Sequence, residues 1–131
     1  MRIVRATLRS LPAVRGAPAT SLMSTDITIV TASTLTLTSS HSRKLLIFNS
    51  ASSQTVTVPA GLTDSEAGFL FSCSWLQYGA GQVTFQDDGT SVLVSPYDYF
   101  KSATRYAQGG IFQLPSDLDD DLYAISGELE A

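Results

Sequence analysis

Asp117, Asp119 and Asp121 stand at alternate positions, and Glu128 falls twelfth when Asp117 is counted first. That is the spacing of a calcium loop, in which about six to eight oxygens surround the ion. Such a loop needs glycine at its sixth position for the sharp turn, and Leu122 stands there. Tyr123–Ser126 also reads as a strand rather than a curling loop. The segment is therefore read as an acidic turn facing solvent or a partner, with calcium as the alternative, and no cofactor is expected. The only histidine, His41, lies in the serine-rich stretch Ser39–Ser42. Nucleophilic catalysis would need it beside an activated hydroxyl and an orienting acid. No Gly-x-Ser-x-Gly elbow is present to supply that hydroxyl. Gly79–Gly81 precedes a strand instead of a helix, so it is not a phosphate loop. Cys73, the single cysteine, rules out an internal disulfide and a multi-cysteine zinc site. It alternates with aromatics and reads as an inert core thiol. No catalytic constellation emerges, and the expectation is a protein that is not an enzyme.

Tyr97, Asp98, Tyr99 and Phe100 offer a different chemistry. Aromatic faces beside a carboxylate can hold a sugar, but Tyr and Phe are also enriched where subunits meet. The first reading of Tyr97, Tyr99, Phe100 and the nearby Tyr106 is an oligomer contact. Ligand binding is the alternative.

These residues sit on a body dominated by period-2 alternation, which places strands throughout. Ile27 and Ile29 alternate with threonine, as do Leu35 and Leu37. Lys44–Asn49 is a continuous apolar run, expected to be buried on both faces. Asn49–Gln54 reads as a turn, from which Thr55–Val58 returns. Phe69, Phe71, Cys73 and Trp75 share one face of the expected central strand. The glycine-rich turn Tyr78–Gly81 suggests positive φ at Gly79 or Gly81. Asp87-Asp-Gly89 is a hairpin signal, with Ser91–Val94 as the return strand. Gly109–Leu114 and Leu122–Gly127 complete eight or nine strands. No internal repeat is visible. The fold class expected is all-β: a small antiparallel β-sandwich, jelly-roll-like or Greek key, with an extended N-terminal arm.

That arm is marked by charge. Residues 1–25 carry Arg2, Arg5, Arg9 and Arg15 and no acid. All 12 acidic residues follow, against Arg43, Lys44, Lys101 and Arg105 alone. The division expected is an arm over 1–25 and a body over 26–131. An acidic body argues against nucleic-acid binding, which needs clustered Lys and Arg. No apolar run reaches the roughly 18 residues a membrane span requires, so no membrane partner is expected. The arm also has the composition of an organelle transit peptide, with Met23 as an internal start; an anchoring arm is the reading preferred.

Leu35-Thr-Leu37, Arg43–Asn49, Thr55–Pro59, Gly79-Ala-Gly-Gln-Val-Thr-Phe85 and Ala124–Leu129 occur in that order. Together they resemble a β-module of tailed-bacteriophage virion proteins, found in tail fibres and head decoration proteins. The resemblance covers roughly residues 34 to 129, and the Gly79–Phe85 run is its most specific part. It implies a non-enzymatic and often trimeric module. The chain departs from it at Ser116–Tyr123, where such modules carry a shorter turn, and residues 1–25 match no part of it. A short arm instead of a long shaft favours a small accessory subunit over a fibre.

The expectation is a capsid cement or decoration protein on the virion exterior. It would form a homotrimer and bind the major capsid protein over capsomer junctions. Arg2, Arg5, Arg9 and Arg15 would pair with acidic patches there, while Ile3, Val4, Leu8 and Leu11 fill apolar grooves. Fully extended, the arm reaches about 80 Å. The alternative is a tail-fibre or receptor-binding module recognising host surface glycans.

Overall fold

The computed structural model describes residues 26–64, 66, 68–115 and 121–131. The chain is all-β, with two mixed sheets and short single-turn 3-10 segments at Ser39–His41 and Pro96–Asp98. It starts by crossing repeatedly from one sheet to the other. β1 (Ile27–Val30), β3 (Leu45–Phe48) and β5 (Ser72–Gln77) lie side by side in the six-stranded sheet. β2 (Thr34–Thr36), β4 (Gln54–Val58) and β6 (Val83–Asp87) do so in the five-stranded sheet. Within each trio every pairing is parallel. The register runs Ile27–Leu45–Ser74 in one sheet and Thr34–Thr55–Thr84 in the other. The first half is thus a coil whose turns stack on one another.

The corners between sheets stack too, and their backbone bonds carry the ladder around the bend. Asn49 N–H donates to Val30 O (2.9 Å), Tyr78 N–H to Phe48 O (2.9 Å), and Gly81 N–H to Ser50 O (2.8 Å). Gln54 supports the inner corner, its Nε2 donating to Val30 O and Ala32 O, both at 2.9 Å. The stack is tight at Gly79 and Gly81. A Cβ on Gly79 would lie 2.3 Å from Ser50 O, and one on Gly81 would lie 1.9 Å from Ser52 O. Neither glycine has positive φ. The glycines are there for close approach, and the left-handed geometry expected at this turn is absent.

The remaining strands close the sheets. β7 (Val92–Val94), β9 (Gln108–Gln113) and β10 (Leu122–Gly127) complete the order β1-β3-β5-β9-β10-β7. β8 (Lys101–Ser102) and β11 (Leu129–Glu130) complete the order β11-β8-β6-β4-β2. β9 pairs antiparallel with both β5 and β10, whereas β7 joins β10 in parallel.

The expected antiparallel arrangement is corrected by this topology, since among the described residues five of the nine strand pairings are parallel. Asn49–Ser53 and Asp87–Ser91 look like hairpin turns, yet each leads into the other sheet. A polar turn reverses or deflects a chain equally well, so its composition does not choose the partner. The coil is also an internal repeat that its unequal spacing hides. Thr55 and Thr84 each stand seven residues after the end of the strand that precedes them, β3 at Phe48 and β5 at Gln77.

Inward residues of both sheets form one core. It includes Leu46, Phe48, Trp75, Ile111 and Tyr123 from one sheet and Val56, Val58, Val83 and Phe85 from the other. The Trp75 and Phe85 ring centroids lie 5.2 Å apart across it, tilted by 54°. Tyr123 keeps its buried hydroxyl satisfied by accepting from Leu62 N–H at 3.0 Å. Two burial expectations differ. Phe69 lies outside β5 and is 55% exposed, with the Arg43 guanidinium over its ring. In β3 only Leu46 and Phe48 are buried, while Leu45 and Ile47 lie half-buried on an outer face that no second layer covers among the described residues.

Candidate interaction surfaces

The two sheets present unlike outer faces. Register aligns Thr34, Thr55 and Thr84 across the five-stranded sheet, beside a row of Thr36, Thr57 and Gln86. Gln86 Nε2 donates to Thr57 Oγ1 at 3.1 Å, and Lys101 and Glu130 extend this face as a wettable surface. The six-stranded sheet instead turns Ile27, Ile29, Leu45 and Ile47 outward on one side, and Phe112, Val92 and Val94 on the other. Between them the small residues Ser72, Ser74 and Gly110 form a low floor. None of the outward positions on these six strands is charged. The face thus has two apolar edges with small residues between them, and exposed apolar patches of this kind are candidates for contact with another surface.

A cleft of about 800 Å³ opens on this face, floored by Ser72, Ser74 and Gly110 between Leu45 and Phe112. Asp26, Arg43 and Lys44 line its rim. Arg43 is held in the left-handed region (φ 62°) by a two-pronged grip on Asp64. Its Nε donates to Oδ2 at 2.9 Å and its Nη2 to Oδ1 at 2.6 Å. Ser42 Oγ donates to the same carboxylate at 2.6 Å, and Glu66 N–H does so at 2.8 Å. The Arg43 bond, followed by those of Ser42 and Glu66, holds the Asp64 carboxyl at about 2 against an ordinary 3.8. A carboxylate with a depressed folded-state pKa stabilises the fold above its unfolded value, and loses that contribution as pH falls through the folded one. The rim should therefore weaken between about pH 4 and pH 2. The stability gap between the natural chain and Asp64→Asn, read from urea melts, should narrow across that window. A gap unchanged from pH 7 to pH 2 would count against this assignment.

The aromatic residues separate into three environments. Tyr97 is 85% exposed, and its ring lies 5.6 Å from that of Tyr99. Tyr97 and Asp98 are consecutive non-glycine residues at φ 58° and 57°. Backbone strain of this kind costs on the order of 1–3 kcal/mol per residue and concentrates where a loop has a task. Phe100 packs against the core instead. Tyr106 belongs to another cluster, edge-on to Tyr78 at 6.0 Å and beneath the Arg105 guanidinium at 5.0 Å. The ring contacts do not join Tyr97 to Tyr106.

His41 Nδ1 accepts from Thr38 N–H at 2.9 Å, and burial, helped by the nearby Lys44 charge, pushes its pKa below the usual 6.5. Burial pushes the Cys73 thiol up to about 12, so it stays protonated in the core. Of the calcium spacing, Asp117 and Asp119 lie outside the described residues. Asp121 instead caps a loop, its Oδ1 accepting from Gly61 N–H at 2.7 Å. Among the described residues no group of three or more His, Cys, Asp or Glu side chains could hold a metal ion. The arm residues Arg2, Ile3, Val4, Arg5, Leu8, Arg9, Leu11 and Arg15 also lie outside the described residues.

The uncharged face and its cleft gave no clear signal in the sequence. In the sequence Ile47 belongs to a run expected to be buried on both faces, and only the lateral register places it in one row with Ile29 and Leu76. Compared with known proteins, the chain matches no family model, no curated protein and no solved structure.

Proposed function

We propose that the protein is a structural subunit of a bacteriophage virion, a capsid cement or decoration protein acting by attachment. The observation that carries this reading is the charge split: four arginines without an acid before Asp26, and twelve acids against four bases from there on. A cationic arm and an anionic body can grip two different surfaces, and tethering makes two modest contacts act as one strong one. The body is proposed to be a sandwich, wound like a solenoid in its first half, that sits over capsomer junctions as a homotrimer. Exposed Tyr97, with the half-buried Tyr99 beside it, would supply a subunit contact. The arm would extend over the major capsid protein, with arginines on acidic patches and apolar residues in grooves.

Deleting residues 1–24 should weaken binding to undecorated capsids by at least tenfold and remove the added heat resistance of the decorated particle. Equal binding by the truncated chain would overturn the role given to the arm. A second reading, a receptor-binding module for host glycans, is favoured by one observation: Asp98 stands on a strained turn between the exposed Tyr97 and the half-buried Tyr99, whose rings lie close together. A glycan array separates the two, because selective hits lost on Tyr97→Ala belong to the second reading alone.

A further inference from the structure

The coil has one closed end and one open end. Beyond its third turn, antiparallel strands cap both sheets, β9 on β5 and β8 on β6. Its first turn, β1 and β2, has no further strand beside it in either sheet among the described residues. The ladder shows which backbone groups face that end. Val30 O accepts from Asn49 N–H, so Thr28 and Val30 turn their peptide groups to β3 while Ile29 turns its own to the open edge. Ser33 O accepts from Thr55 N–H and Leu37 N–H donates to Thr57 O, so in β2 the outward groups are those of Thr34 and Thr36.

An open edge is normally guarded by charge, proline or a bulge. From Ile27 to Ser42 the chain has no Asp, Glu, Lys, Arg or Pro, although the body around it is acidic. Ile29 is 62% exposed at this edge, and Leu35, on the inner side of β2, lies half-buried against the end of the core. A single extended peptide could complete one sheet and would leave the other open. Completing both takes two strands, one per sheet, at the spacing of this end itself. A second copy of the chain supplies them. Turned about a two-fold axis perpendicular to the sheets, it sets β1 against β1 and β2 against β2, both antiparallel. Uncharged edges meet without like-charge repulsion, and Ile29 gains an apolar cross-strand neighbour.

We propose that two copies of the chain join in this way through the open end of the coil, each sheet running on through both subunits. Tyr97 follows β7, at the opposite edge of the six-stranded sheet, so this contact is separate from the trimer contact proposed above.

Amide exchange in the full chain, followed by nuclear magnetic resonance from dilute to concentrated samples, tests the pairing. The N–H groups of Ile29, Thr34 and Thr36 should exchange at least tenfold more slowly in the concentrated sample, on both strands together. Ile29→Lys and, separately, Thr36→Lys each place a charge at an exposed edge position without touching the core, and either should abolish the slowing. Val94→Lys, on the opposite edge strand β7, should leave it intact. Exchange that is the same at every concentration would overturn the proposal. So would slowing on one strand alone, which means a single added strand. Slow exchange that persists on dilution and in Ile29→Lys would also overturn it, because the edge would then be covered within the subunit.

Discussion

Trp75→Ala should cost about 3–5 kcal/mol, the range for truncating a large buried aromatic and leaving a cavity. Trp75 is fully buried. Its ring meets Phe85 from the opposite sheet, and its Nε1 donates to Ser126 O at 3.2 Å. The truncation thus removes a ring contact between the two sheets and leaves a part-buried carbonyl with one bond fewer. Domains of this size are stable by only about 5–15 kcal/mol, so the loss takes a large share of the total. Urea unfolding followed by circular dichroism measures the loss. Trp75→Phe should recover more than half of it, because the ring contact survives while the indole bond does not. If Trp75→Ala melted within a few degrees of the natural chain, the sheets could not be packed as described.

Gly81→Ala should destabilise by about 3 kcal/mol, at the upper end of the usual cost of overpacking. A single added methyl rarely does so much. Here it would sit 1.9 Å from Ser52 O, a backbone atom that cannot swing aside as a side chain would. The corner must separate from the one beneath it, which breaks the Gly81 N–H bond to Ser50 O. Gly89→Ala is the informative control. Gly89 has open space around it but φ of 93°, so alanine there meets only the left-handed penalty of roughly 1–2 kcal/mol. Thermal melts of the two variants should differ clearly, with Gly81→Ala lower. The reverse order would mean that the corners are not stacked.

Much of the body is legible in the sequence. Alternation identifies Val56, Val58, Phe71 and Trp75 as inward, and all are in the core, whereas Phe69, read on the same face as Phe71, is exposed and the continuous run Lys44–Asn49 buries only Leu46 and Phe48. Alternation cannot say which strand lies alongside, because the same inward and outward pattern serves parallel and antiparallel neighbours alike. Asn49–Gln54 illustrates this: its small polar residues suit a hairpin turn, and the structure uses them as a corner. The Gly79–Phe85 run was the most specific part of the resemblance, and its glycines prove to be where one turn of the coil meets another. The functional surfaces were less legible. Tyr97 and Tyr106 look alike in sequence, yet they fall in separate clusters. Nothing in the spacing of Ile29, Ile47 and Leu76 shows that they form one row.

The winding of the first half also constrains how the chain can assemble. Ile27 finds its partner at Leu45, and Leu45 finds its next at Ser74, so each parallel pairing closes a loop of about 20–30 residues. No pairing within the coil can form from a short local turn. Each must wait until the chain has visited the opposite sheet and come back, and the conformational entropy of the whole excursion is lost before any ladder bond forms. Order in the first half therefore arises collectively: β1 has no neighbour until β3 is in place, and β3 gains its second only with β5.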